Sequence, residues 1–245
     1  MIDLRCGDCL GPNGLPSLSD RSVDVIITDP PFDKRTHRAA LEGKDWRDGK
    51  RKINKELPFP PLPVDQIPIV ASQLVRVCKG WILIFVAERQ FEAWACAIEN
   101  AGGRYKRLGA GLRSNPRPQM SGDRPALGID PILIAWADSK RSEWNGGGKA
   151  GVWTSPAARW DTDKKQVHPT QKPLALMRDL LGDFSNPGEL VCDPFAGSGT
   201  TAVACKELGR RFVGWEIDPA FHAVACSRVL QASEPSQSPV TASAG

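Results

Sequence analysis

Two short stretches of the chain hold residue types that could do chemistry. Asp29-Pro30-Pro31-Phe32 directly follows the apolar run Val23-Asp24-Val25-Ile26-Ile27-Thr28. Proline has no N–H, so the backbone of this turn offers mainly carbonyl acceptors. A carboxylate and a carbonyl converging on one point suit an amino group that presents two N–H bonds, and Phe32 adds a ring on which a flat molecule can stack. The second stretch is Val191-Cys192-Asp193-Pro194-Phe195-Ala196-Gly197-Ser198-Gly199-Thr200-Thr201. It reads as a strand, a glycine turn and a helix start. Gly197 and Gly199 let a ligand approach the backbone closely, and Thr200 is placed to cap the helix. The turn lacks the G-x-G-x-x-G spacing of dinucleotide folds and the G-K-[ST] ending of a P-loop, which disfavours NAD and ATP hydrolysis. Glu216, seventeen residues past Gly199, ends the next apolar run, where a carboxylate can accept hydrogen bonds from ribose hydroxyls.

These residues need elements to position them. Apolar runs at 23–28, 81–86, 132–136, 190–192 and 211–215 read as buried strands. Stretches at 65–78, 88–101, 173–184, 200–208 and 219–230 read as helices, with Pro68 and Pro173 in first turns where proline is tolerated. Strands alternating with helices predict an α/β fold with a mostly parallel sheet covered on both faces. Residues 33–64 and 138–167 resist assignment; they are long, polar and punctuated by Gly and Pro, as functional loops often are. The Ser/Pro/Ala-rich stretch 231–245 reads as a disordered tail.

Asp29-Pro30-Pro31-Phe32 together with Phe195-Ala196-Gly197-Ser198-Gly199-Thr200 resembles the signatures of S-adenosylmethionine-dependent amino-methyltransferases of DNA. The catalytic signature precedes the cofactor signature, as in the permuted beta group, and His168-Pro169-Thr170-Gln171-Lys172-Pro173 is similar to a further motif of that group. The resemblance spans Asp3 to about Arg228. It implies a Rossmann-like, circularly permuted methyltransferase fold with a seven-stranded sheet. It also implies a single domain over 1–230: a catalytic part (1–137), a short target-recognition insertion (138–167) and a cofactor-binding part (168–230).

The resemblance further implies roles for individual residues. Asp29 and the Pro30 carbonyl accept hydrogen bonds from the target amine, Pro31 stiffens the turn, and Phe32 stacks on a flipped base. Asp193, Phe195, Ala196, Gly197, Ser198, Gly199, Thr200 and Thr201 line S-adenosylmethionine, Glu216 takes its ribose and Asp8 lies near its adenine. Thr170, Gln171 and Lys172 hold its methionine end, with Lys172 on the carboxylate. Asn115, Arg117 and Arg124 belong to stretches resembling a motif close to the target base. Gly111-Leu112-Arg113 stands where many members have a Trp-x-Lys-like stretch, so a base-clamping aromatic is missing there; Arg113 keeps the positive charge, can itself stack, and is expected to contact DNA. Asp at position 29 favours adenine N6 over cytosine N4. A cytosine-N4 enzyme and a catalytically silent DNA-binding protein of the same fold remain the alternatives. Cytosine C5 chemistry needs a nucleophilic thiol, usually in a Pro-Cys pair, and the chain has none.

Charge and composition narrow the partners. Net charge is only +4 over 245 residues, but it is unevenly distributed. Residues 33–55 carry nine Lys/Arg against four Asp/Glu, residues 104–124 six against one, and residues 138–172 seven against four. Lys34 and Arg35 begin the first of these segments. Three basic segments on an otherwise acidic chain predict a polyanion-binding face, and the resemblance implies that the polyanion is double-stranded DNA. A homodimer and a cognate restriction endonuclease are further candidate partners. No apolar run is long enough to span a membrane, Met1–Arg5 does not read as a secretory signal, and seven cysteines without a disulfide-like framework point to a reduced, cytoplasmic setting. Cys6 and Cys9 form a lone C-x-x-C pair with no second pair and few histidines, so no metal site is expected.

Overall fold

The computed structural model describes residues 1–32, 61–116, 118, 122–156 and 171–234. Lys34, Arg35, Arg117, Thr170, His168 and Trp160 lie outside the described residues, as do residues 235–245 of the expected tail.

The strands are β1 (Ile2–Cys6), β2 (Val23–Thr28), β3 (Cys78–Phe85), β4 (Arg104–Arg113), β5 (Ile129–Trp136), β6 (Val152–Ser155), β7 (Leu190–Asp193) and β8 (Arg211–Glu216). The helices are α1 (Ile67–Val77), α2 (Phe91–Asn100), α3 (Leu174–Phe184), α4 (Thr200–Glu207) and α5 (Pro219–Gln231). All eight strands join one sheet in the order β1-β8-β7-β2-β3-β5-β4-β6. Every neighbouring pair is parallel except the two made by β5. The permuted α/β architecture is therefore as expected, but the sheet has eight strands among the described residues rather than seven. The extra strand, β6, lies inside the stretch expected to be a recognition insertion and pairs in parallel with the end of β4, Ala110 opposite Val152.

Side-chain alternation along the central strands feeds two cores. Ile26, Ile82, Ile84 and Leu133 face one side, where Val70, Leu74, Trp94 and Ile98 of α1 and α2 cover them. Val25, Ile27, Leu83, Phe85 and Ile132 face the other, covered by Leu180, Leu181 and Phe184 of α3 and Ala202 and Val203 of α4. Burial on both faces explains why the centres of these strands read as apolar runs.

The segment before β6 is held by tryptophans. Trp144 and Trp153 pack on Phe184 with ring centroids 5.5 and 5.8 Å away, and Trp81 Nε1 donates to the Glu143 carbonyl at 2.6 Å. These two tryptophans of the basic segment serve packing. Gly109 makes room for Trp153: a Cβ there would come within 2.9 Å of its ring. Buried Asp183 accepts from Trp153 Nε1 at 2.9 Å and from Lys149 Nζ at 2.8 Å. Asp183→Ala leaves the indole N–H unpaired, so we expect folding stability to fall by about 1–3 kcal/mol, read as a lower urea midpoint. An unchanged midpoint would mean that Asp183 does not hold this segment.

Candidate active site

The parallel strands all end at one edge of the sheet, and β5, running the other way, begins there. That edge gathers Asp8 beyond β1, Asp29 beyond β2, Phe85 on β3, Arg113 on β4, Asp130 on β5, Asp193 on β7 and Glu216 on β8. From β7 the chain continues outward to β8, and from β2 outward to β3, so the β7–β2 boundary is a topological switch point. Ligands of open α/β sheets bind in the crevice at such a point.

Asp193 locks that boundary. Its Oδ1 accepts from Thr28 Oγ1 at 2.8 Å and from the Phe195 N–H at 3.1 Å, and its Oδ2 accepts from Thr201 Oγ1 at 2.7 Å. The last residue of β2 is thereby tied to the last residue of β7 and to the first turn of α4. Burial pushes the Asp193 carboxyl from its usual 3.8 up to about 6, against the three hydrogen bonds, which favour the anion.

The glycine turn follows. Gly197 and Gly199 have φ of +54° and +77°, a left-handed backbone that favours glycine. Gly199 is itself the N-cap of α4 and no side chain among the described residues caps that helix; Thr200 begins the helix instead, which corrects the expectation that it would cap. A Cβ at Gly199 would lie 2.8 Å from that of Ala225, whereas the space beside Gly197 is open. Arg228 of α5 clamps the turn from behind, reaching the Ser198 carbonyl at 2.7 Å and Thr200 Oγ1 at 3.1 Å. Ala196 donates its N–H to the Trp215 carbonyl at 2.8 Å, and Phe195 packs partly buried against the core. Glu216 is nearly buried, which raises its carboxyl, while the N–H groups of Asp218 (2.8 Å) and Gly197 offset this. Asp8 is exposed, and its Oδ1 accepts the Leu10 N–H at 2.9 Å.

Asp29 faces this turn across the boundary. Its side chain keeps 22% of its surface, yet Oδ1 is shielded from solvent and has no hydrogen-bond partner among the described residues. Its Oδ2 is ion-paired with Lys172 Nζ. Burial raises the carboxyl and Lys172 opposes that rise; Asp130 adds to it and Arg113 counters it more weakly. Pro30 is buried, and Phe32 is half-buried with Lys172 Nζ 5.7 Å from its ring centre.

Several expected site residues are engaged differently from the sequence reading. Lys172, expected on a cofactor carboxylate, is held by Asp29, and Gln171 beside it is buried. Arg113, expected on DNA, makes a two-pronged pair with Asp130, Nε to Oδ2 at 2.8 Å, and this pairing raises its pKa. Arg124 is exposed but paired with Asp123 at 3.0 Å. Asn115 follows β4 directly. Thr28, Asp130 and Arg228 belong to the site and were not singled out from the sequence; Thr28 precedes Asp29, so adjacency was the one available signal.

The chain is similar to several known proteins. A family model described as DNA methylase (N6_N4_Mtase) matches residues 23–227. The DNA adenine methyltransferase YhdJ of Escherichia coli K12 is 42% identical over 256 residues, covering 93% of this chain and 82% of that protein. The type II methyltransferase M.HpaI of Haemophilus parainfluenzae is 28% identical, covering 92% and 73%. Among solved structures, the M1.HpyAVI–SAM complex is similar at a TM-score of 0.66 and 24% identity, covering 94% of this chain and all of that one. PvuII DNA methyltransferase, cytosine-N4-specific, shares the fold at a TM-score of 0.71 and 16% identity, covering 93% and 86%.

Asp193 carries a pH signature. Its folded-state pKa lies above the unfolded one, so its contribution to stability is fully present below about 3.8 and is lost as pH rises through about 6. Asp193→Asn keeps an acceptor for Thr28 and removes the titration. We therefore expect wild-type stability, relative to this variant, to fall between about pH 4 and 7, measured from urea midpoints. A difference that stays flat or rises over that window would contradict the burial argument.

Proposed function

Because the chain belongs to the N6/N4 DNA methylase family, we propose that it transfers a methyl group from S-adenosylmethionine to the exocyclic N6 of an adenine flipped out of double-stranded DNA. The observation that carries this reading is the Asp29 carboxylate, with Oδ1 unpartnered among the described residues, tied through Thr28 and Asp193 to the glycine turn. The preference for adenine rests on Asp at position 29 and on the likeness to YhdJ.

The glycine turn fits the methyl donor. Gly197 leaves open space where any other residue would place a Cβ, and Glu216 stands at the neighbouring strand end. When bound, S-adenosylmethionine supplies an electrophilic methyl on a sulfonium. The residues that would hold it are Asp193 and Phe195 through Thr201, with Glu216 for the ribose, Asp8 towards the adenine, and Thr170 and Gln171 towards the methionine end.

The chain's own part is to prepare the amine. An exocyclic amine on a base is a poor nucleophile because its lone pair is delocalised into the ring. Asp29 Oδ1 and the Pro30 carbonyl accept its two N–H bonds and draw the nitrogen toward a tetrahedral shape, which frees the lone pair. Asp29 also stabilises the positive charge that develops on nitrogen. Phe32 stacks on the base, which must leave the duplex to reach the crevice. The remaining acceleration comes from holding two reactants in line.

We expect Asp29→Ala to abolish transfer of labelled methyl to DNA while binding of S-adenosylmethionine persists. Nucleoside analysis of wild-type product DNA is expected to yield N6-methyladenine. Normal turnover in the variant removes the assignment, and N4-methylcytosine alone reverses the choice of base. The segment 33–55 starts just past the catalytic turn, Asn115 and Arg124 follow β4, and the 138–172 stretch contains β6, so the basic segments would flank the crevice mouth. Phosphate contacts from them predict that raising salt from about 50 to 200 mM lowers DNA affinity tenfold or more. A flat response would mean that these segments do not meet the phosphates.

A further inference from the structure

We infer that Lys172 is the positioning residue of the catalytic carboxylate: it holds Oδ2 of Asp29 and leaves Oδ1 as the single acceptor presented to the target amine, instead of serving the carboxylate of the methyl donor. The inference rests on the reading of Asp29 given above and assigns a partner within that site.

Three observations carry it. First, the pair is embedded: the Lys172 side chain keeps only 8% of its surface and is joined to Asp29 across 143 residues of sequence. An ammonium taken out of water needs a direct partner, and Asp29 is the carboxylate that meets it among the described residues. Second, aromatic faces line the ammonium. Nζ lies 4.8 Å from the centre of the Phe85 ring and 5.7 Å from that of Phe32, distances at which a ring face attracts a cation. Phe85 ends β3 and Phe32 closes the catalytic turn, so Lys172 is seated between fixed elements. Its backbone is fixed as well, because Pro173 is the extended N-cap of α3 and its carbonyl accepts the Met177 N–H at 3.2 Å. Third, the other charged groups facing Asp29 among the described residues are Arg113, Asp130 and Asp193. Arg113 is occupied by both oxygens of Asp130, and the two carboxylates oppose an anion at Asp29. Lys172 is thus the cation in direct contact with it.

The consequence is chemical. A carboxylate free to rotate could offer either oxygen, and a protonated one would present an O–H where the amine needs an acceptor. Pinning Oδ2 on an ammonium settles the orientation and keeps the group ionised in a place where burial favours the neutral form. Without Lys172, Asp29 takes up a proton at a higher pH and the acceptor is lost on the acid side.

The test is Lys172→Met, with Lys172→Gln as a second variant should the first fail to fold, and Lys172→Arg as the charge-conserving control. Methyl transfer is followed as kcat against pH, donor binding is measured with S-adenosylmethionine, and the Asp29 carboxyl is titrated by carbon-13 NMR, which needs no turnover. We expect the acid limb of kcat and the Asp29 titration to move up together by roughly 1–3 pH units. Donor affinity should change by less than about threefold, and Lys172→Arg should restore most of the wild-type profile. A loss of donor affinity of about tenfold or more with an unmoved Asp29 titration would overturn the inference and return Lys172 to the donor. A wild-type profile in Lys172→Met would overturn it too. If the wild type transferred no methyl to DNA, the proposed function would fall, while the NMR titration would still decide whether Lys172 governs Asp29.

Discussion

Holding a carboxylate out of water at the end of a β-strand carries a desolvation cost that its neighbours must offset, and the crevice is arranged around that cost. Asp29 has its ammonium partner on one oxygen and nothing among the described residues on the other. Pro30 and Pro31 keep N–H donors away from the turn, so the group is not neutralised by its own backbone. The guanidinium of Arg113 stands nearby but is committed to Asp130. The result is an anion held by one cation, with one acceptor left over. In the proposed reaction, that is the state that draws a weakly nucleophilic amine out of conjugation.

The same economy governs the neighbouring strand. Asp193 is more deeply buried than Asp29 and has no cation in contact among the described residues; two hydroxyls and one N–H serve it instead. These neutral donors suit a structural role, because they join β2, β7 and α4 without supplying a charge that would compete with Lys172 for Asp29. The permuted chain order makes this junction necessary. The Asp29 turn and the glycine turn are more than 160 residues apart in sequence, and the switch point at which their strands meet is what brings them together.

The parts legible in the sequence are those with local causes. β2, β3, β5, β7 and β8 announce themselves because burial on both faces demands continuous apolar residues, and α1 through α5 follow from apolar spacing and from prolines in first turns. β1 escapes notice because it is a half-buried edge strand with an Asp3–Arg5 pair on it. β4 is disguised by four basic residues and two glycines, one of which makes room for Trp153. β6 has four residues and buries only Trp153 and Ser155, too little to register as a period. The Asp29 turn and the glycine turn were legible as motifs, but the Lys172–Asp29 and Arg113–Asp130 pairs were not, since nothing local links partners so far apart. Part of the basic excess is accounted for the same way: Arg113, Lys149 and Lys172 each meet an acidic partner within the fold, so the charge left for phosphate is smaller than a count along the chain suggests.

The central claim concerns which oxygen of Asp29 meets the amine and what holds the other. A crystal structure of the protein with a non-reactive analogue of S-adenosylmethionine and its DNA tests it directly. The account predicts the amine nitrogen of a flipped adenine within about 3 Å of Asp29 Oδ1, with Oδ2 still on Lys172. An amine held by other groups, or Lys172 turned away from Asp29 onto the carboxylate of the analogue, would contradict it.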